Sequence, residues 1–195
     1  MKKFELTSEF ITNIFGTKLF RIKALIEFGN VKAGELGGFV EKEENLNHEG
    51  NAWVYGNAEV YGNARVYGNA SVYGNASVYG NASVYGNARV CGDARVCGDA
   101  RVYGNAWVYG NARVCDDARV YGNADYATVH GFGSEYRTTT FFKTKAGEIG
   151  VRCGCFYGNL SEFRKKVVET HGETKKAKEY LMLADLMEFR FSDNS

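Results

Sequence analysis

From Asn51 to Asn123 the chain reads NAWVYG NAEVYG NARVYG NASVYG NASVYG NASVYG NARVCG DARVCG DARVYG NAWVYG NARVCD DARVYG N, twelve copies of one six-residue unit without an insertion. Valine stands at every sixth position from Val54 to Val120, and alanine two residues before each, from Ala52 to Ala118. On an extended chain, residues two apart point to the same side, so alanine and valine share one face. The residue between them, and the Tyr or Cys after the valine, take the other. Gly-Asn or Gly-Asp then turns the chain, because both residues tolerate turn conformations that β-branched residues resist. Each unit is thus one short strand and one corner.

Three such units close a triangular coil of 18 residues, and twelve give about four coils, ~20 Å of stack at ~4.8 Å per layer. Valine and alanine fill the interior, and each buried valine is worth ~1.5 kcal/mol or more before chain entropy is subtracted. A helix is excluded: glycine every sixth residue costs ~1 kcal/mol each time, and period six makes no helical stripe. Low-complexity disorder does not keep valine and aromatic residues at a fixed phase.

The rest of the composition narrows the function. Lys plus Arg is 24 and Asp plus Glu 23, a balance that suits neither a strongly basic nucleic-acid binder nor an acidic mimic. The start, MKKFELTSEFITNIF, meets Glu5, Ser8 and Glu9 too early for a signal peptide, and no run is long and apolar enough to cross a membrane. Of five cysteines, Cys91, Cys97 and Cys115 occupy tyrosine slots. Cys97 and Cys115 fall one coil apart, yet in a reducing bacterial host cytoplasm, the expected location, they are expected to stay unpaired.

Outward positions stack by face. The first face carries Trp53, Ser71, Arg89 and Trp107 beside Tyr55, Tyr73, Cys91 and Tyr109. The second carries Glu59, Ser77, Arg95 and Arg113 beside Tyr61, Tyr79, Cys97 and Cys115. The third carries Arg65, Ser83, Arg101 and Arg119 beside an unbroken column, Tyr67, Tyr85, Tyr103 and Tyr121. Stacked tyrosine stabilises a ladder by itself. Arginine with Tyr and Trp is also what protein contact surfaces concentrate. The candidate binding residues are therefore Arg101, Arg119, Tyr103, Tyr121, Arg95, Arg113 and Trp107, with the third face near the C-terminal end favoured. Asp93, Asp99, Asp116 and Asp117 at the corners offset the charge and disfavour generic phosphate-backbone binding.

The flanks divide the chain into a cap (1–50), the repeat (51–124) and a C-terminal α+β domain (125–195). Lys18 to Leu25 alternates as a strand, and Leu46 and His48 fall at the alanine-like and valine-like phases of a preceding unit. Ser134–Thr144 and Glu148–Phe156 read as paired strands. Ser161 can cap a helix ending at His171–Gly172, and Thr174 a second with Ala177, Tyr180, Leu181, Ala184 and Met187 on one face. Phe189 to Phe191 reads as a final strand.

The repeat resembles the hexapeptide-repeat family, which implies a left-handed parallel β-helix; with the N-terminal β cap and the small C-terminal α+β domain read from the flanks, the expected fold is mainly β. The stretches VKAGELGGFVEKEENL, VYGNA and CGCFYGNLSEF, followed by ETHG, are similar to a family of small bacteriophage and prophage proteins. Many hexapeptide proteins transfer acyl groups from coenzyme A, but such chemistry wants a histidine base on the coils. His48, His130 and His171 all lie outside the array. Cys153-Gly154-Cys155 would place both thiols on one strand face, without the second pair that a zinc site needs. The expectation is a non-enzymatic phage-type protein, without catalytic residues, metal or cofactor, that binds a host protein or ribonucleoprotein complex, in the manner of an anti-CRISPR inhibitor. A homo-oligomer is expected from the aromatic surface. A sponge for a nucleotide signal and a hexapeptide acyltransferase are the alternatives; nucleic acid is not favoured as partner.

Overall fold

The structure, a computed structural model, describes residues 1–132 and 135–192. Each repeat forms one two-residue strand, from Trp53–Val54 to Arg119–Val120, and the strands stack in three parallel sheets, in register. Val54, Val72, Val90 and Val108 line one sheet; Val60, Val78, Val96 and Val114 the second; Val66, Val84, Val102 and Val120 the third. All twelve valines and the alanines beside them are buried. Corners are paired as well as strands: Tyr73 N–H donates to Val90 O at 2.9 Å and Asn75 N–H to Gly92 O at 2.9 Å. Because strand and turn both find partners in the next coil, little backbone is left to satisfy elsewhere. Gly92 shows why the corner needs glycine. Its φ is +70°, and a Cβ there would lie 3.0 Å from Gly110 N. Asp116 takes the same left-handed conformation, φ 59°, as a non-glycine residue.

The stack starts earlier than the twelve units. Strand β3 (Leu36–Val40) pairs parallel with Glu59–Val60, and Leu46 bridges to Val66, so two rungs precede Trp53–Val54. The solenoid therefore has about five turns rather than four. Val40 and Leu46 keep the six-residue spacing, whereas Leu46 to Val54 takes eight. Leu46 thus sits in a valine slot, and His48 belongs to the lengthened corner. Strands β1 (Phe4–Thr12) and β2 (Lys18–Ala24) extend the same sheet as an antiparallel meander. Phe4 and Phe28 pack edge-on against Trp53 at 6.1 and 5.3 Å, so Trp53 is fully buried rather than part of an exposed column. Phe4 also stacks on His48 at 4.4 Å. Lys3 lies under this cover and donates from Nζ to Gly50 O and Ala52 O at 3.3 and 2.9 Å.

At the far end, strands β16 (Tyr126–Phe132), β17 (Arg137–Lys143), β18 (Ile149–Cys153) and β19 (Phe156–Asn159) form one antiparallel sheet in chain order. One side closes the bore: Tyr126 and Phe142 join the valine core, and Tyr126 Oη donates to Trp107 O at 2.7 Å. The other side, with Phe141 and Val151, packs on helices α1 (Leu160–His171) and α2 (Lys175–Phe191). Asn159, not Ser161, caps α1: its side chain accepts from Glu162 N–H, and the Glu162 carboxylate accepts from Asn159 N–H. Thr174 caps α2. Residues 189–191 continue α2 and form no strand, since Met187 and Phe191 keep its helical spacing on the core side. The expected strand start at Ser134 lies outside the described residues. No helix among them is long and apolar enough to cross a membrane.

Candidate binding cleft

The third face is a flat ladder. Tyr67, Tyr85 and Tyr103 stack at 4.8 and 5.1 Å with rings within 10° of parallel, and Tyr121 turns edge-on at 5.4 Å. Arg101 is exposed beside them. Arg119 is occupied differently: one guanidinium nitrogen donates to the carbonyls of Asp99, Asp117 and Ala118 at 3.0, 3.1 and 2.9 Å. It closes the last corner instead of waiting for a ligand.

The second face differs because both flanks lean over it. The β1–β2 hairpin tip, with Ile14 90% and Phe15 70% exposed, helps line a hollow of about 290 Å³ with Tyr61, Tyr79 and Arg95. At the other end the C-terminal sheet forms a cleft of about 380 Å³, where Arg95 and Arg113 on the coils face His130, Arg137 and Thr138 on β16 and β17. Arg95 borders both hollows. Arg113 is fixed where its N–H donates to Thr140 Oγ1 at 3.0 Å, directly under β17.

Cationic groups outnumber anionic ones in the cleft: Arg95, Arg113 and Arg137 stand against Asp93, with Glu59 acting on Arg95 from the neighbouring hollow. Burial, then the neighbouring Arg95, Arg152 and Arg137, hold the Arg113 pKa below the usual arginine value. Among the described residues no carboxylate lies within salt-bridge distance of Arg95 or Arg113. Asp93 lines the cleft but accepts a hydrogen bond from Asn75. Arg137 has Glu135 at 3.8 Å, with both side chains more than half exposed, a weak pair. Nearby, Arg152 stands 4.0 Å from Asp116, whose pKa is raised by burial against the lowering pull of Arg152. His130 Nδ1 lies 3.2 Å from Thr138 Oγ1.

The seven residues singled out in the sequence therefore divide among three faces. Arg95 and Arg113 meet in the cleft. Arg101, Arg119, Tyr103 and Tyr121, on the face favoured from the sequence, stay on a flat ladder, and the cleft with the C-terminal sheet is on the second face. Trp107 is on the first face, 43% exposed, its Nε1–H directed at Cys91 Sγ at 3.1 Å and its ring 5.4 Å from Tyr109. Arg137, His130 and Thr138 were not among the candidates. No strand was expected from the sequence over 126–132, so nothing brought His130 to the coils; the alternation in YATVH is the signal that could have found it.

The cysteines need two corrections. Cys97 and Cys115 form a disulfide between adjacent coils, with Cα atoms 4.4 Å apart, continuing the Tyr61–Tyr79 stack as a covalent rung. In-register parallel stacking brings equivalent Cβ atoms within bonding reach, which the expectation drawn from compartment left out of account. Cys153 and Cys155 do not share a strand face. The chain reverses at Gly154, φ +59°, leaving Cys153 half-buried against the helices and Cys155 exposed in the turn. Among the described residues no three His, Cys, Asp or Glu side chains gather as a metal site would require.

The family described as YdcK beta solenoid repeat has a model that matches residues 58–74, 94–110 and 112–124, roughly a quarter of the chain. No curated protein matches the chain. The matched segments all lie within the array of parallel two-residue strands, and together the match and the stack make this a repeat β-solenoid protein, mainly β, with a C-terminal sheet and two helices.

Proposed function

We propose that the chain is a non-enzymatic binding protein whose cleft on the second face grips an acidic surface of a host macromolecule. The observation that carries this reading is the convergence of Arg95, Arg113 and Arg137 without a carboxylate within salt-bridge distance of the first two. A guanidinium presents a rigid fork of donors suited to carboxylates, and partial burial strengthens each pairing over its value in open water. Its form, on the resemblance to small phage proteins, is an inhibitor seated on a bacterial defence complex in the host cytoplasm. The coils wind left-handed on this reading, as hexapeptide repeats do, and the segment before β3 acts as cap, which the cover of Phe4 and Phe28 over Trp53 supports. A crystal structure reads the hand directly. A second contact surface, the adjoining Trp107 and Tyr109 on the first face, is 43–54% exposed and fits self-association. Sedimentation of Trp107→Ala against the parent protein tests that point.

Fluorescence anisotropy of a labelled oligoglutamate tests the cleft. Binding that weakens as salt rises supports the reading. Binding of a single-stranded RNA oligonucleotide but not the oligoglutamate overturns the choice of an acidic protein surface, and binding of neither overturns the anion site.

A further inference from the structure

A third hollow, of about 310 Å³, lies on the other side of the C-terminal sheet, between β17–β19 and the two helices. Phe156, Phe163, Val167 and Tyr180 supply its apolar lining. Phe163 stands edge-on to Tyr180 at 5.7 Å and tilted to Phe156 at 5.6 Å, so the rings brace one another and leave the space between them unfilled. At its base Cys153 Sγ accepts from Thr139 Oγ1–H at 3.2 Å, and Tyr180 Oη donates to Phe132 O at 3.4 Å. The polar groups of the base are thereby satisfied internally, which leaves an apolar wall for a ligand. Around the hollow stand Lys166, Arg137 and His171; Lys166 pairs with Glu169 at 3.4 Å and Arg137 with Glu135 at 3.8 Å, both between side chains more than half exposed and therefore weak.

We infer that this hollow binds a small amphipathic carboxylate, one ring or a branched chain inside and the carboxylate against Lys166 and Arg137. Size supports the assignment: a dry cavity of ~150 Å³ accepts benzene, so twice that volume takes one ring and a short tail. A mostly apolar recess with a few convergent polar groups is the usual form of a small-molecule site. The cationic surround selects an anion over its neutral isostere by what a partly exposed charge pair contributes, about fivefold in affinity. This site is separate from the cleft proposed for macromolecular binding, although Arg137 borders both. Lys166 borders only this one, and is the residue to change.

Isothermal titration with phenylbutyrate and its uncharged amide, phenylbutyramide, on the full chain tests the inference. The carboxylate binds about fivefold more tightly than the amide, Lys166→Met removes that preference, and Thr170→Trp, at an exposed lining position, fills the mouth and abolishes binding of both. Arg95→Glu with Arg113→Glu leaves phenylbutyrate binding unchanged, which separates this site from the cleft. Equal affinity for acid and amide, or binding untouched by Thr170→Trp in a protein of unchanged circular dichroism, overturns the inference.

Discussion

The second and third faces of the solenoid are built from the same unit and carry similar outward residues: Glu59, Ser77, Arg95 and Arg113 on one, Arg65, Ser83, Arg101 and Arg119 on the other. The second is made concave by both flanks. The β1–β2 hairpin leans over one end and the C-terminal sheet over the other, so Arg95 and Arg113 border hollows while Arg101 stands in open solvent. A solenoid face is straight by construction, and what makes it a site is what its ends fold back onto it. The same arginine is screened by water on a flat face and gains force where low-dielectric walls narrow the approach.

The interior is common to all three faces, and the largest effect should not tell them apart. Val96→Asp behind the second face and Val102→Asp behind the third each bury an unpaired carboxylate, and each should cost about 4 kcal/mol or more. Ser77→Asp, pointing outward, should be tolerated. Circular dichroism melting checks all three, and a folded Val102→Asp would show that the third sheet is not part of the shared core.

The next effect should separate the faces. Cys97–Cys115 is a covalent rung on the second face where the third has only Tyr103 against Tyr121. Reduction opens a link spanning 18 residues, a loop whose closure is worth about 3 kcal/mol in the chain-entropy account. Tyr103→Ala removes ring packing worth about 1 kcal/mol. Urea unfolding with and without reductant measures both, and a reductant-insensitive midpoint would mean that the coils hold their register without the bond.

Alkaline titration sharpens the comparison further. Burial, as the first cause, pushes Tyr61 on the second face up to about 12, as it does Tyr126, Tyr157 and Tyr180 around the C-terminal sheet. Folding favours their neutral phenols. Below pH 10 both folded and unfolded chains keep these protons, and stability does not depend on them. Between pH 10 and 12 the unfolded chain loses them first, so stability should fall as pH rises. Absorbance at alkaline pH should show these four ionising near 12, later than ordinary phenols, and Tyr61→Phe should remove the share owed to the second face.

The period, the valine–alanine interior and the three outward columns were legible in the sequence, because a six-residue repeat leaves one phase for each side chain. The cap at Thr174 and the inward spacing of Ala177, Tyr180, Ala184 and Met187 were legible for the same reason, although Leu183 is buried where Leu181 was expected and Leu181 is only partly covered. Corner length was not: the eight-residue step from Leu46 to Val54 breaks the six-residue phase, which hid the first two rungs. Ser161 and Asn159 are both competent caps, and only the β19 pairing through Asn159 decides between them. The cleft was half legible. Arg95 and Arg113 could be placed on one face from spacing, but Arg137 and His130 join them through a sheet whose docking no local pattern states.

The paired charge reversal on the two faces tests the central claim most directly. With the labelled oligoglutamate as probe, Arg95→Glu and Arg113→Glu together should abolish binding, while Arg65→Glu and Arg101→Glu, the same charge change on the flat third face, should leave most of it. Equal losses from both pairs would mean that net charge alone attracts the probe. Loss from the third-face pair alone would contradict the cleft and return the site to the tyrosine ladder.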